Sequence, residues 1–418
     1  MTEQAQPARL ERILPFLALT VFLDLIGFGI ILPLLPSYVG EMGGSPQMVG
    51  VLFASFAAAQ LVATPVLGRV SDRFGRRRVI FISLAANAVA MTLFAVAATH
   101  HALWLLFASR ILAGTTSGNI GACQATIADV ASGPDRVRAL GKLGAGIGLG
   151  MMLGPWIGGR ASMLGVAAPP LAAAILAVAA LIGVLLFLPE TNAAVLARRL
   201  RAAENPRQKS AHPATPVRPR LSLRALASNP KIAVVMGLYF LTFLYMTNLQ
   251  TALALLADER FHWKKDHVGD LFGLFGLCSL LTQLALVGPI SSRVAPAFVA
   301  MGAALLAAVA LACIGISPIA GGMVGGLVVL AIALGLTQPL LASLASQYSG
   351  QEQQGTVLGF AQSSGSLARA IGPLVWGALY QHFGPTASFL GGSVAAVCAC
   401  FVALGARGKS DEARERST

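Results

Sequence analysis

An all-α membrane protein of twelve transmembrane helices, set out as two pseudo-symmetric six-helix bundles, is the fold class this sequence predicts. Three observations predict it. Of 418 residues, 56% are hydrophobic and only 11% are charged, too little charge to cover a soluble protein of this length. About twelve apolar stretches recur between short polar loops, each of ~20 residues or more and so able to cross ~30 Å of hydrocarbon. One longer basic segment, 190–230, divides them six and six.

The first six spans are read at 13–37, 48–70, 78–98, 101–126, 139–161 and 167–188. The second six fall at 231–256, 267–290, 295–316, 319–345, 355–380 and 385–405. This gives lobes at 13–189 and 231–405, with tails at 1–12 and 406–418. The opening span is too long for a cleavable signal peptide, carries Asp24 and three prolines, and is followed by no small-residue cleavage site. The dividing segment is basic, proline-bearing and poor in large apolar residues between 202 and 220, which reads as a flexible linker. A short amphipathic piece at 193–203 suits a membrane surface. The halves carry a trace of duplication. A shift of 218 residues lays Leu140 and Gly141 on Leu358 and Gly359, Leu149 on Leu367, Gly154 and Pro155 on Gly372 and Pro373, and Gly159 on Gly377. Asp24 falls opposite Thr242, so the acid is not repeated.

The net charge of +13 invites a nucleic-acid partner, but its placement argues against one. Arg160, Arg260, Lys264 and Lys265 lie at outer segments and Arg110 and Arg369 inside spans, which leaves 24 of the 30 Lys and Arg in or beside segments on one side. That asymmetry puts both termini in the cytoplasm. The five cysteines all fall within apolar spans and read as small core residues. The polar loops carry no phosphate loop, metal cluster or nucleophile constellation, so neither an enzyme nor a nucleotide-powered pump is expected.

Asp24 is the most informative residue. It is the only charged side chain of 14–36 and lies roughly 16 Å into the first span, near mid-bilayer. A carboxylate there costs several kcal/mol unless it is protonated, paired or facing water. Its proton is therefore the expected coupling ion, and no other cofactor is expected. Arg110, some 13 Å below the outer surface on the fourth span, is too deep to snorkel easily and is read as a nearby partner cation.

Two motifs carry a resemblance. Between the second and third spans, Gly68, Asp72, Gly75, Arg76, Arg77 and Arg78 form G-x-x-x-D-x-x-G-R-R-R, similar to the signature loop of the major facilitator superfamily. In that family the loop latches a gate. The resemblance implies that Asp72 lies near the start of the eleventh span and that Arg76 pairs with Asp129 at the inner end of the fourth. In the fifth span, Gly146, Gly150, Gly154, Pro155, Gly158 and Gly159 strip one helix face of side chains. This run resembles the motif of proton-coupled exporters within the superfamily, and Arg110 with Gly114 resembles its R-x-x-x-G element. The first span (23–36), Gln60, residues 71–77, residues 127–129 and residues 154–159 resemble the tetracycline/proton antiporter group.

Departures matter as much. That group carries further acids in the third and ninth spans and a histidine in the eighth. Here the third and ninth spans hold no acid, Cys278 and Ser279 stand in the histidine's region, and Arg369 adds a cation. Phe28, Gln60, Asn119, Gln124, Tyr245, Asn248, Gln283, Gln338 and Arg369 are the candidate cavity residues, each also able to serve as an ordinary helix–helix contact. The reading is a monomeric exporter of a hydrophobic or amphipathic, drug-like small molecule, working by alternating access in the inner membrane of a bacterium. Its alternative is a proton-independent facilitator or importer of a metabolite such as a sugar, or a lipid-handling membrane protein.

Overall fold

The computed structural model describes residues 5–117, 119–131, 133–192, 195, 230–347 and 354–405. Helix α1 (Ala5–Ile31) passes through a 3-10 turn (Leu32–Leu34) into α2 (Leu35–Glu41). There follow α3 (Pro46–Phe74), α4 (Arg76–Thr99), α5 (Leu103–Thr116), α6 (Asn119–Val130), α7 (Gly133–Ser162) and α8 (Ala168–Phe187). Then come α9 (Pro230–Phe261), α10 (Lys265–Ala285), α11 (Val287–Arg293), α12 (Pro296–Ile316), α13 (Ala320–Gln347) and α14 (Gln354–Leu404). The tail at 406–418 and most of the linker at 190–230, with the amphipathic piece at 193–203 except Val195, lie outside the described residues.

Among the described residues nine helices are long and apolar enough to cross a membrane, against twelve spans read from the sequence. The difference has local causes. The last two spans run together in α14, whose helix is interrupted at Gly384 by a φ of 81°. The fourth span is broken into α5 and α6, each too short alone. The fifth, α7, is diluted by glycine and bears Arg160 at its end.

What these helices bury reverses the habit of soluble proteins. On α8 the buried residues are small, among them Ala173, Ala177 and Ala180, while Ile175, Ile182 and Leu186 are exposed. Helix α12 repeats the pattern, with Ala300, Ala304, Ala307 and Ala308 inside and Leu305, Val309 and Ile316 outside. Small residues let helix backbones approach, and large apolar ones are left for hydrocarbon.

The chain forms two compact units that follow packing rather than chain order. Unit 1 comprises Met1–Ile31, Ala58–Gly154 and Leu164–Arg220, and unit 2 comprises Leu32–Ala57, Pro155–Met163 and Leu221–Thr418. The core of unit 1 centres on Leu17, Val21, Ile80, Leu84, Cys123, Ile127 and Leu143. That of unit 2 centres on Tyr245, Leu253, Leu256, Leu311, Leu327, Leu330 and Phe389. Within unit 2, α2 and the turn before it pack on α9, and the turn also meets α10.

Candidate functional site

Asp24 lies in the last third of α1, and two neutral amides hold it. Asn87 Nδ2 of α4 donates to one carboxylate oxygen at 3.1 Å, and Asn119 Nδ2 of α6 donates to the other at 2.7 Å. The broken fourth span explains Asn119. Hydroxyls of Thr115, Thr116 and Ser117 bond back to carbonyls of the preceding turn, a habit that loosens helices. The helix restarts at Asn119, whose Oδ1 accepts the Ile120 N–H at 2.8 Å. With its oxygen so engaged, the amide must turn its NH₂ toward Asp24. Asp24 stays half-buried, so the carboxyl is held without being sealed.

Arg110 is not among these partners. It is 2% exposed, with Nη2 3.4 Å from Met91 Sδ and its guanidinium 4.9 Å from the Phe94 ring centroid. Met91 and Phe94 lie one and two turns beyond Asn87 on α4, so the cation is displaced roughly 6–10 Å along the helix from Asp24. Among the described residues Arg110 makes no ion pair, and its Nε is buried without a hydrogen bond.

At the other end of α4 stands a cluster of opposite character. Arg76 Nη1 pairs with Asp72 at 2.6 Å and Nε with Asp129 at 3.1 Å. Glu190, 6% exposed, accepts the backbone N–H groups of Arg76 (2.9 Å), Thr191 (3.1 Å) and Asn192 (3.1 Å) through one oxygen. Its carboxylate thus sits on the N-terminus of α4, where the helix dipole favours negative charge. Asn192 Nδ2 donates to the Asp72 carbonyl at 3.0 Å. Gly75 is required here twice over: its φ is 110°, and a Cβ would collide with the Glu190 carboxylate.

The glycines of α7 have two sets of partners. A Cβ on Gly146 would come 3.1 Å from Ala18 O, on Gly150 2.8 Å from Phe22 O, and on Gly154 2.6 Å from Ile26 O. All three lie on α1, on the side opposite Asp24 by helical spacing. Past Pro155 the partner changes, and a Cβ on Gly159 would be 2.8 Å from Gly269 Cα of α10. Gly158 is buried. At this end Arg160 pairs with both oxygens of Asp270 at 2.8 and 3.0 Å, and Lys265 pairs with Glu41 at 2.8 Å.

The sequence profile of the Major Facilitator Superfamily matches residues 17–368 and 235–418. The chain belongs to this superfamily. Its length is 32% identical over 370 residues to tetracycline resistance protein class E of Escherichia coli, covering 86% of each chain. It is 30% identical over 369 residues to the class C protein of Escherichia coli, covering 86% of this chain and 88% of that one. Among solved structures it is similar to the human organic anion transporter MFSD10 (TETRAN), with a TM-score of 0.67 and 26% identity over 94% of this chain and 99% of the other. It is a multi-pass transporter of the major facilitator fold.

In this major facilitator chain the remaining candidates scatter. Asn248 is buried and donates to the Ser388 carbonyl at 2.6 Å, and Tyr245 is fully buried in the unit 2 core. Phe28 packs against the unit 1 core. Gln60 on α3 is half-buried, whereas Gln124 on α6 and Gln283 on α10 are exposed, the last reaching Ser279 Oγ at 3.4 Å. The Gln338 side chain lies outside the described residues. Arg369 on α14 is half-buried, with Nη2 2.7 Å from Ser366 Oγ and its guanidinium 4.5 Å from the Phe243 ring. Sequence reasoning passed over Asn87 and Glu190. Asn87 is the lone amide of an apolar span, a signal of the kind that singled out Gln60. Glu190 has none, because Gly75 and Arg76 are far away in the chain.

Proposed function

We propose that the chain exports a hydrophobic or amphipathic, drug-like small molecule in exchange for protons, by alternating access, from the cytoplasm of a bacterium across its inner membrane. The observation that carries this reading is Asp24: a half-buried carboxyl at mid-span whose described hydrogen-bond donors are the neutral amides of Asn87 and Asn119. An acid so placed can take or release a proton without breaking an ion pair. The driving force is adequate, since a proton moving down a potential gains ~2.3 kcal/mol per 100 mV. Relatives named for tetracycline resistance support a drug-like substrate. Arg110 acts on Asp24 at a distance as a fixed positive charge.

The cluster of Asp72, Arg76 and Asp129, with Glu190 behind it, serves as the cytoplasmic latch, and both termini lie on its side. The glycine face of α7 seals the exporter against leakage while the helices move. The working unit is a monomer in a lipid bilayer. A drug-susceptibility panel in an efflux-deficient host tests the reading, with the unmodified protein set against Asp24→Asn. Resistance to at least one compound, lost in the variant, is expected. Identical susceptibility for every compound sinks it.

A further inference from the structure

From the surroundings of Arg369 we infer that the substrate is an organic anion, a carboxylate on an apolar body, and that Arg369 is the residue that binds its charge. The inference deepens the export reading and rests on it for the direction of transport, though not for the binding itself.

Within 231–405 every Asp and Glu lies at 258–270 or at 352, close to the ends of spans. Arg369 is the one charge in the interior of these spans. It sits midway between Gln354 and the break at Gly384, and a bare guanidinium at that depth cannot face hydrocarbon. The faces of α14 agree. Leu367, Ile371 and Leu374 recur at i, i+4 and i+7 as an exposed apolar stripe suited to lipid. Gly365 and Gly372 form the packed face, against Phe243 and Thr247 of α9. Gln362, Ser366 and Arg369 make a third stripe at the same spacing, exposed at Gln362 and half-buried at the other two. A polar stripe at mid-span that is neither packed nor set toward lipid is the wall of a watery recess.

The guanidinium in that wall is oriented but not neutralised. Ser366 Oγ takes one of its five N–H donors, the Phe243 face supports its plane, and Phe243 itself leans on Tyr239 with ring centroids 6.3 Å apart. Among the described residues no carboxylate pairs with it. A planar fork held by a ring and a hydroxyl, with donors to spare, matches a carboxylate in bidentate fashion. The charges then balance in a definite way. One anion leaving and one proton entering carry two positive charges inward per cycle, so the membrane potential drives the exchange twice over.

The test uses purified full-length protein and two probes of one shape, 2-naphthoate and its neutral amide 2-naphthamide. Binding by titration calorimetry should favour the acid by at least about tenfold. Arg369→Gln should erase that margin with an unaltered melting temperature, and Arg369→Lys should keep part of it. In liposomes, uptake of the acid should rise more steeply with imposed potential than uptake of the amide. Equal binding of the two probes, no binding of the acid, or a margin that survives in a folded Arg369→Gln protein overturns the assignment. Arg369-dependent binding of the acid, joined to uptake that ignores a pH gradient, sustains the anion site and defeats only the proton-exchange reading.

Discussion

Two carboxylate clusters in unit 1 are built from similar parts and treated in opposite ways. At the start of α4, Asp72 and Asp129 share a guanidinium, and Glu190 takes three backbone N–H groups at a helix N-terminus. In mid-span, Asp24 meets two amides. The first arrangement ties its carboxylates into structure, two through the largely buried Arg76 guanidinium and one through backbone N–H groups. The second tolerates loss of the charge, since an amide left without a carboxylate still has a neutral carboxyl to bond. A guanidinium and a helix N-terminus hold the carboxylates of the first cluster, and two side-chain amides hold that of the second.

Six substitutions at five positions bear on that contrast. The largest effect should come from Asp24→Asn, which keeps the side chain's shape, bonds both shell amides once Asn87 turns its oxygen inward, and cannot titrate. Uphill uptake into liposomes under a pH gradient should fall to the level of protein-free liposomes while the melting temperature holds. Retained uphill uptake would break the comparison at its root. Next is Glu190→Ala, which strands three N–H groups and should lower stability by ~2–3 kcal/mol, read as a melting temperature lower by several degrees. A Glu190→Gln protein should recover part of the loss.

The third test reaches the Asp24 shell from behind. A methyl on Gly154 meets Ile26 O and Gly29 and would push α1 toward the amides, so Gly154→Ala should cost ~1–3 kcal/mol and slow transport. On the same helix a Cβ at Gly148 meets nothing within 4 Å, and Gly148→Ala should be neutral or stabilising by up to ~1 kcal/mol. Equal effects at the two positions would show that the glycine face does not hold α1. The smallest effect belongs to Asn248→Ala, which loses a helix–helix bond worth ~0.6 kcal/mol and should leave substrate preference as it was.

Much of this was readable beforehand, for reasons that can be named. Asp24 stood out because a charge in hydrocarbon is rare, and the glycines at spacing four because period is visible in a string. Gly384, which interrupts α14, falls in the gap read between the last two spans. Facing was harder. Helices such as α9 and α12 are apolar all round, so no pattern says which side looks inward. Tyr245 and Asn248 were therefore read as wall residues although both are buried in packing. The break before Asn119 hid in T-T-S-G-N, which no proline marks. Arg110 was read as a neighbour of Asp24 on depth alone, and it stands turns away because Asn87, not Met91 or Phe94, is level with the acid.

The change of partner at Pro155 bears on how the gene could be divided. A second polypeptide beginning in the basic segment would lack α2, the first turns of α3 and the end of α7, all of which are built into unit 2. Gly269 and Gly377, stripped of Gly159 and of Pro46 and Gly50, would open as smooth furrows with nothing to fill them. Such a fragment should persist in cells only when its companion is synthesised alongside it.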